Sequence, residues 1–240
     1  MAWFEAQDVR KEYPFGESVN AALDGFSLSA GRGDFVSIIG RSGSGKTTFL
    51  RVVAGLADRT SGEITFGGSR SARIGMVFQE PRLMPWLTVE ENVLFAYMKL
   101  GESDIPRARA ARLLEMLGLS KYKDARPSSL SVGMAHRVAL GRALCFEPEL
   151  VLMDEPFASL DYITRRSLQG EISKLYLAGE KTFFLVTHDV DEAVALSRRI
   201  VILDCGKALS EVKIDLGYPR ERADPNFAST VERVMSLIPK

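Results

Sequence analysis

Between residues 2 and 66 the apolar positions fall in short runs broken by glycine-containing turns, including 22–28 and Phe35-Val-Ser-Ile-Ile39, a spacing that predicts β-strands. The second run leads directly into a glycine- and serine-rich segment, Gly40-Arg-Ser-Gly-Ser-Gly-Lys-Thr47. Beyond it Phe49, Leu50, Val53 and Ala54 recur at helical spacing, so 47–56 reads as a helix and the local order is strand, loop, helix. The period then changes. Segments 89–100, 106–117 and 131–144 each suit a helix, with Pro106 placed to start one. Strand-like runs return at 150–153, 183–186 and 200–203, alternating with helical 162–177 and 189–196, which predicts parallel α/β topology. A last hairpin is expected around Asp204-Cys-Gly-Lys207, and Asp224-Pro225 offers a cap and a first-turn proline for a terminal helix. The expected organisation is one domain over 1–240, with a helical subdomain at about 87–142 inserted between core segments 1–86 and 143–240.

Composition narrows the function classes. The 240 residues are 46% hydrophobic and 26% charged, ample for a core. Lys plus Arg and Asp plus Glu both number 31, so no excess of positive charge marks the chain as a binder of nucleic acid or anionic lipid. The apolar runs 183–186 and 200–203 are far shorter than the roughly 18 residues a membrane span needs, so membrane contact is expected only through a partner. The start, Met1-Ala-Trp-Phe-Glu5, lacks a basic region followed by an apolar run, and export is not expected. Cys145 and Cys205 lack the close spacing of a metal or redox pair and read as two reduced thiols.

The segment from Gly40 to Thr48 fits the pattern of Gly, four free residues, Gly-Lys and Ser/Thr, in which consecutive backbone N–H groups wrap phosphate oxygens. Glycines at 40, 43 and 45 permit close backbone approach, and the following helix presents its positive end to the phosphates. Lys46 supplies charge at the β/γ oxygens, and Thr47 is placed to ligate Mg²⁺. A dinucleotide fingerprint starting at Gly43-Ser-Gly45 would need its third glycine where Thr48 stands, and fails on that spacing. Further along, Leu150-Val-Leu-Met-Asp-Glu-Pro156 is an apolar run ending in two adjacent carboxylates, as a buried strand would deliver them. Asp154 suits Mg²⁺ held through water, and Glu155 suits a base that orients and deprotonates the water attacking the γ-phosphate.

These motifs and several weaker ones, over nearly the whole chain, resemble the ATP-binding cassette ATPases. The resemblance implies a P-loop NTPase fold with an N-terminal antiparallel β subdomain, a mostly parallel central sheet and an inserted helical subdomain. It implies that Gln79 reaches the metal and attacking water, that His188 meets the γ-phosphate, and that Tyr13 stacks on adenine beside Gly40, Arg41, Ser42, Gly43, Ser44, Gly45, Lys46, Thr47 and Thr48. Leu130-Ser-Val-Gly-Met134 is similar to the family signature Leu-Ser-Gly-Gly-Gln, so Ser131, Val132, Gly133 and Met134 are expected to face ATP held by a second copy. Ser159-Leu-Asp161 looks like the loop that crosses the dimer interface. The segment Val77-Phe-Gln-Glu-Pro-Arg-Leu-Met-Pro-Trp-Leu-Thr-Val-Glu-Glu-Asn-Val93 and the ending Asp224-Pro-Asn-Phe227 look like the importer branch serving nitrate, sulfonate, taurine and related compounds. The implied partners are a second ATPase copy, transmembrane permease subunits and, indirectly, an extracytoplasmic substrate-binding protein, with no nucleic acid. The implied location is the cytoplasmic face of the inner membrane, peripheral through the permease, and MgATP is the implied substrate with its cofactor.

Val132 departs from the family pattern, because the first signature glycine belongs there. A β-branched residue is strained if that position needs positive φ and is accommodated if φ is ordinary. Two other readings stay open from sequence: an ATP-binding regulatory module with little hydrolysis, and a non-transport cassette ATPase acting on nucleic acid or the ribosome. Residues 83–87, Leu-Met-Pro-Trp-Leu, read either as an exposed groove for a permease helix or as subdomain core.

Overall fold

The computed structural model describes residues 2–16, 18–98, 104–179 and 181–239. In chain order its regular elements are β1 (Phe4–Phe15), β2 (Ser18–Ala30), β3 (Phe35–Ile39), α1 (Lys46–Val53), β4 (Ser61–Phe66), β5 (Ile74–Val77), α2 (Val89–Val93) and α3 (Asp104–Met116). They continue with α4 (Val132–Cys145), β6 (Leu150–Asp154), α5 (Tyr162–Leu177), β7 (Thr182–Thr187), α6 (Val190–Leu196), β8 (Arg199–Asp204), β9 (Lys207–Lys213) and α7 (Pro225–Met235). The chain divides into two compact units, one of Met1–Ala72 with Gly179–Lys240 and the other of Arg73–Ala178.

The first unit contains a three-stranded antiparallel sheet in the order β2-β1-β4. It also holds β3 flanked by β7 and β8, both parallel to it, with β9 antiparallel to β8. Every residue of β3 and β7 is buried, which explains why their sequences are continuous apolar runs: helices and sheet cover both faces of a parallel strand. Aromatic rings fill the space between the sheets, with Phe4 edge-on to Phe184 at 4.8 Å and Phe26 tilted against Phe49 at 4.6 Å. On the other side α6 and α7 pack Val190, Val194, Phe227 and Val234 against Ile39, Ile200 and Ile202. The β8–β9 hairpin forms where expected, its central residues Cys205 (φ 45°) and Gly206 (φ 76°) both left-handed, as the tight hairpin twist requires. Asp224 caps α7 by accepting from the Asn226 N–H at 2.8 Å, with Pro225 in the first turn.

In the second unit β5 and β6 pair in parallel, and α2, α3 and α4 pack through buried Val93, Leu114, Leu117, Val138 and Leu144. The predicted helix 89–100 is shorter than its pattern: α2 ends at Val93, a 3₁₀ turn follows at Phe95–Tyr97, and 99–100 lie outside the described residues. The tighter turn serves the Tyr97 hydroxyl, which meets the Cys145 carbonyl at 3.3 Å and accepts from Arg109 at 2.8 Å. Helix α3 begins at Asp104, before Pro106, which still falls in a first turn where no intrahelical N–H bond is lost. Trp86 is exposed and Leu87 buried, so the 83–87 segment divides between surface and core. Asn92 locks it in place, donating to the Met84, Leu87 and Thr88 carbonyls and accepting from the Met84 N–H. Both cysteines are free thiols, and burial pushes Cys145 up to about 11. Among the described residues no helix is long and apolar enough to cross a membrane.

Candidate functional site

The glycine-rich segment forms a loop between buried β3 and the first turn of α1. The Lys46 side chain lies inside it, 6% exposed, and its Nζ donates to the carbonyls of Gly40 at 2.9 Å and Arg41 at 2.7 Å. These two carbonyl dipoles satisfy the buried amine and fix its direction. Gly45, at φ 107°, caps the helix, and a β-carbon there would stand 2.2 Å from the Ala22 carbonyl oxygen. Only glycine satisfies both demands. The β8–β9 turn braces the loop from another side: the Gly206 N–H donates to the Ser44 carbonyl at 3.0 Å, and the Gly206 carbonyl accepts from the Asp24 N–H at 3.0 Å. Arg41, Ser42 and Gly43 are exposed along the loop, and Thr47 and Thr48 are half-buried at the start of α1. The N–H groups of that first turn have no intrahelical acceptor, so the loop presents donors and a cation together to an anion.

Tyr13 lies in the same unit, on β1 opposite Asn20, 38% exposed and with the Lys11 ammonium 4.8 Å from its ring centroid. His188 is exposed just after β7. Its backbone is fixed by Glu192, 4% exposed, whose carboxylate accepts from the Thr187 hydroxyl at 2.6 Å; that hydroxyl accepts from the Asp189 N–H at 3.0 Å. Asp189 in turn accepts from the Glu192 N–H at 3.2 Å as the cap of α6. Glu192 was not foreseen from sequence, although Asp189-Val-Asp-Glu192 carries the spacing of a capping box that would have drawn attention to it.

The remaining residues belong to the second unit. Asp154 closes β6 at 8% exposure and Glu155 follows, half-buried, at φ 44°. That left-handed conformation is costly for a non-glycine residue, and more so before a proline, so the turn at Pro156 sets the Glu155 side chain apart from the strand at the expense of stability. Gln79 is exposed after β5. Ser131 caps α4, its hydroxyl accepting from the Met134 N–H at 3.3 Å, and Val132 is the first helical residue, 55% exposed and outside the positive-φ set. The strain considered for Val132 is therefore absent. Gly133 packs so close to α5 that a β-carbon would meet Thr164 Cγ2 at 2.3 Å. Asp161 caps α5, accepting from the Ile163 N–H at 3.0 Å and the Thr164 N–H at 3.1 Å. Its hydrogen bonds to the Thr164 side chain and to these N–H groups hold its carboxyl below the usual range.

Among the described residues no three His, Cys, Asp or Glu side chains gather as a metal cage. The Thr47 hydroxyl in the first unit and the Asp154 carboxylate in the second are each hard oxygens, the donor type that suits Mg²⁺.

Comparison with known proteins agrees with this picture. The sequence profile of the family described as ABC transporter matches residues 23–158. An uncharacterized ABC transporter ATP-binding protein of Methanocaldococcus jannaschii is 41% identical over 98% of this chain and 90% of its own length. Aliphatic sulfonates import ATP-binding proteins are similar too: that of Bacillus subtilis is 39% identical over 92% of this chain and 88% of its own, and one from Pseudomonas savastanoi 42% identical over 90% and 78%. Among solved structures, a dimeric ATP-binding cassette in a post-hydrolysis state bound to ADP and Pi superposes with TM-score 0.79 at 33% identity, covering 89% of this chain and all (100%) of that one. With a profile spanning more than half its length and relatives this close, the chain belongs to the ABC transporter family, as one of its ATP-hydrolysing cassettes.

Proposed function

We propose that this cassette powers an importer of a small solute, a sulfonate or a related compound such as nitrate or taurine. The observation that carries the reading is the braced loop around Lys46, built to hold a triphosphate, in a chain about 40% identical to aliphatic sulfonates import ATP-binding proteins. MgATP is held by the loop and by Tyr13 stacked on the base, with Thr47, Asp154 and Gln79 as the oxygen donors to Mg²⁺. When bound there, Mg²⁺ would supply charge neutralisation for the phosphates. Glu155 accepts a proton from the attacking water, and His188 and Gln79 hold the γ-phosphate and that water in line. Ser131, Val132, Gly133 and Met134 of a second copy complete each site, and Asp161 lies at the copy-to-copy interface. Trp86, exposed beside buried Leu87, belongs to the surface that receives a transmembrane permease at the inner face of the membrane. Substrate selectivity resides in the permease and an extracytoplasmic binding protein.

Glu155→Gln separates binding from chemistry. The variant is expected to retain ATP affinity while hydrolysis falls by about 10²–10⁴-fold, measured as phosphate release. Wild-type turnover in that variant would remove Glu155 as the base. For the cargo, the chain is assembled with its permease and binding protein in vesicles; alkyl sulfonate should stimulate ATPase activity, and stimulation by an unrelated solute alone would overturn the substrate class.

A further inference from the structure

Helix α4 carries a buried histidine that the phosphate chemistry does not use. His136 is 1% exposed, and its Nε2 lies 2.9 Å from the Ser159 hydroxyl. Its Nδ1 is buried without a hydrogen-bond partner. Burial lowers the pKa of the ring, so it is neutral, with one donor and one acceptor nitrogen. The tautomer that donates from Nε2 to Ser159 leaves only a lone pair unmatched at Nδ1, the less costly of the two orphans. An aliphatic side chain would fill the same space with no orphan at all. The ring is thus a poor choice for packing alone.

Its placement gives it another use. Ser131, Val132 and Gly133 open the helix that bears His136, while Ser159 belongs to the exposed turn that runs from buried Phe157 to Asp161, the cap of α5. Other contacts join α4 to α5 directly: Gly133 against Thr164, and Arg137 with both the Ser167 hydroxyl and Glu171 at 2.9 Å. The His136–Ser159 bond differs from these because it reaches the loop itself. We propose that His136 is a positioning residue, which holds Ser159 so that the signature residues and the 157–161 loop meet a second copy of this chain as one rigid surface. The inference rests on the composite site proposed above.

The test uses the full chain in the Glu155→Gln background, where ATP binding drives dimer formation without turnover, read by sedimentation velocity, together with steady-state hydrolysis of the otherwise wild-type chain. His136→Leu and Ser159→Ala should each weaken the ATP-driven dimer and lower kcat by about tenfold, the effect one lost buried hydrogen bond supports. The double variant should be no worse than either single one. The affinity of the monomer for a fluorescent ATP analogue should not change. His136→Gln, which keeps a side-chain donor and acceptor, should recover most of the loss. Multiplying effects in the double variant, wild-type dimerisation by Ser159→Ala, or a His136→Gln as impaired as His136→Leu would each overturn the proposal. Should His136→Leu melt early, Ser159→Ala and His136→Gln decide alone. A parent chain that never dimerises with ATP removes the composite site and this inference with it, whereas a dimerising parent with unaffected variants removes only His136.

Discussion

The phosphate loop and the signature segment both end at the first turn of a helix with backbone N–H groups facing outward, yet they are supported in opposite ways. Around Gly40 to Thr48, apart from the loop's own Lys46, the support from neighbouring segments is main chain: Ala22 approaches Gly45, and the Gly206 N–H holds the Ser44 carbonyl. Around Ser131 to Met134 it is side chain: the Ser131 hydroxyl caps its own helix, Thr164 fills the space beside Gly133, and His136 reaches Ser159. A backbone scaffold tolerates no added atom, whereas side chains can be exchanged together. This difference explains how Val132 occupies a family glycine position without strain, since it is exposed in an ordinary helical turn.

Substitutions at matched positions sharpen the contrast. Gly45→Ala adds an atom against carbonyl Ala22 at a positive φ, and is expected to cost about 3 kcal/mol and abolish nucleotide binding, read by denaturant unfolding and fluorescent ATP titration. A near-silent result would show that the loop is not backbone-braced. Gly133→Ala meets only a Thr164 methyl, so the expected cost is about 1–2 kcal/mol, and Thr164→Ser should relieve much of it. Failure of that rescue would place the constraint in the main chain after all. Glu155→Gly releases a left-handed residue and should raise unfolding stability by about 1 kcal/mol while hydrolysis is lost. A destabilised protein would mean that the Glu155 side chain contributes more than its backbone strain removes. The smallest effect is expected at Val132→Gly: stability within about 1 kcal/mol, and higher ATPase turnover in the assembled complex as bulk leaves the signature. An unchanged or lower rate would count against Val132 as a brake.

Much of this was legible beforehand. Strand 35–39, helix 162–177, the 204–207 hairpin and the Asp224 cap were readable because each depends on local periodicity or on one capping side chain. The pattern overran at 89–100, since the apolar spacing continues past the point where Tyr97 bonds to Cys145 and Arg109 and tightens the chain. The phosphate loop was visible because its chemistry lies in consecutive residues. Its braces were not, as Ala22 and Gly206 are distant in sequence and act through main-chain atoms that leave no residue-type signal.

Sequence by itself therefore determined a nucleotide phosphate site, because cradling phosphate requires glycines, a lysine and a threonine at fixed spacing. The tertiary structure decided the rest: that Val132 lies at a position with ordinary φ, that Glu155 is held in a left-handed turn, and that His136 faces Ser159. Backbone dihedrals and long-range hydrogen bonds arise from packing between segments, and the same residue types admit either outcome until that packing is made.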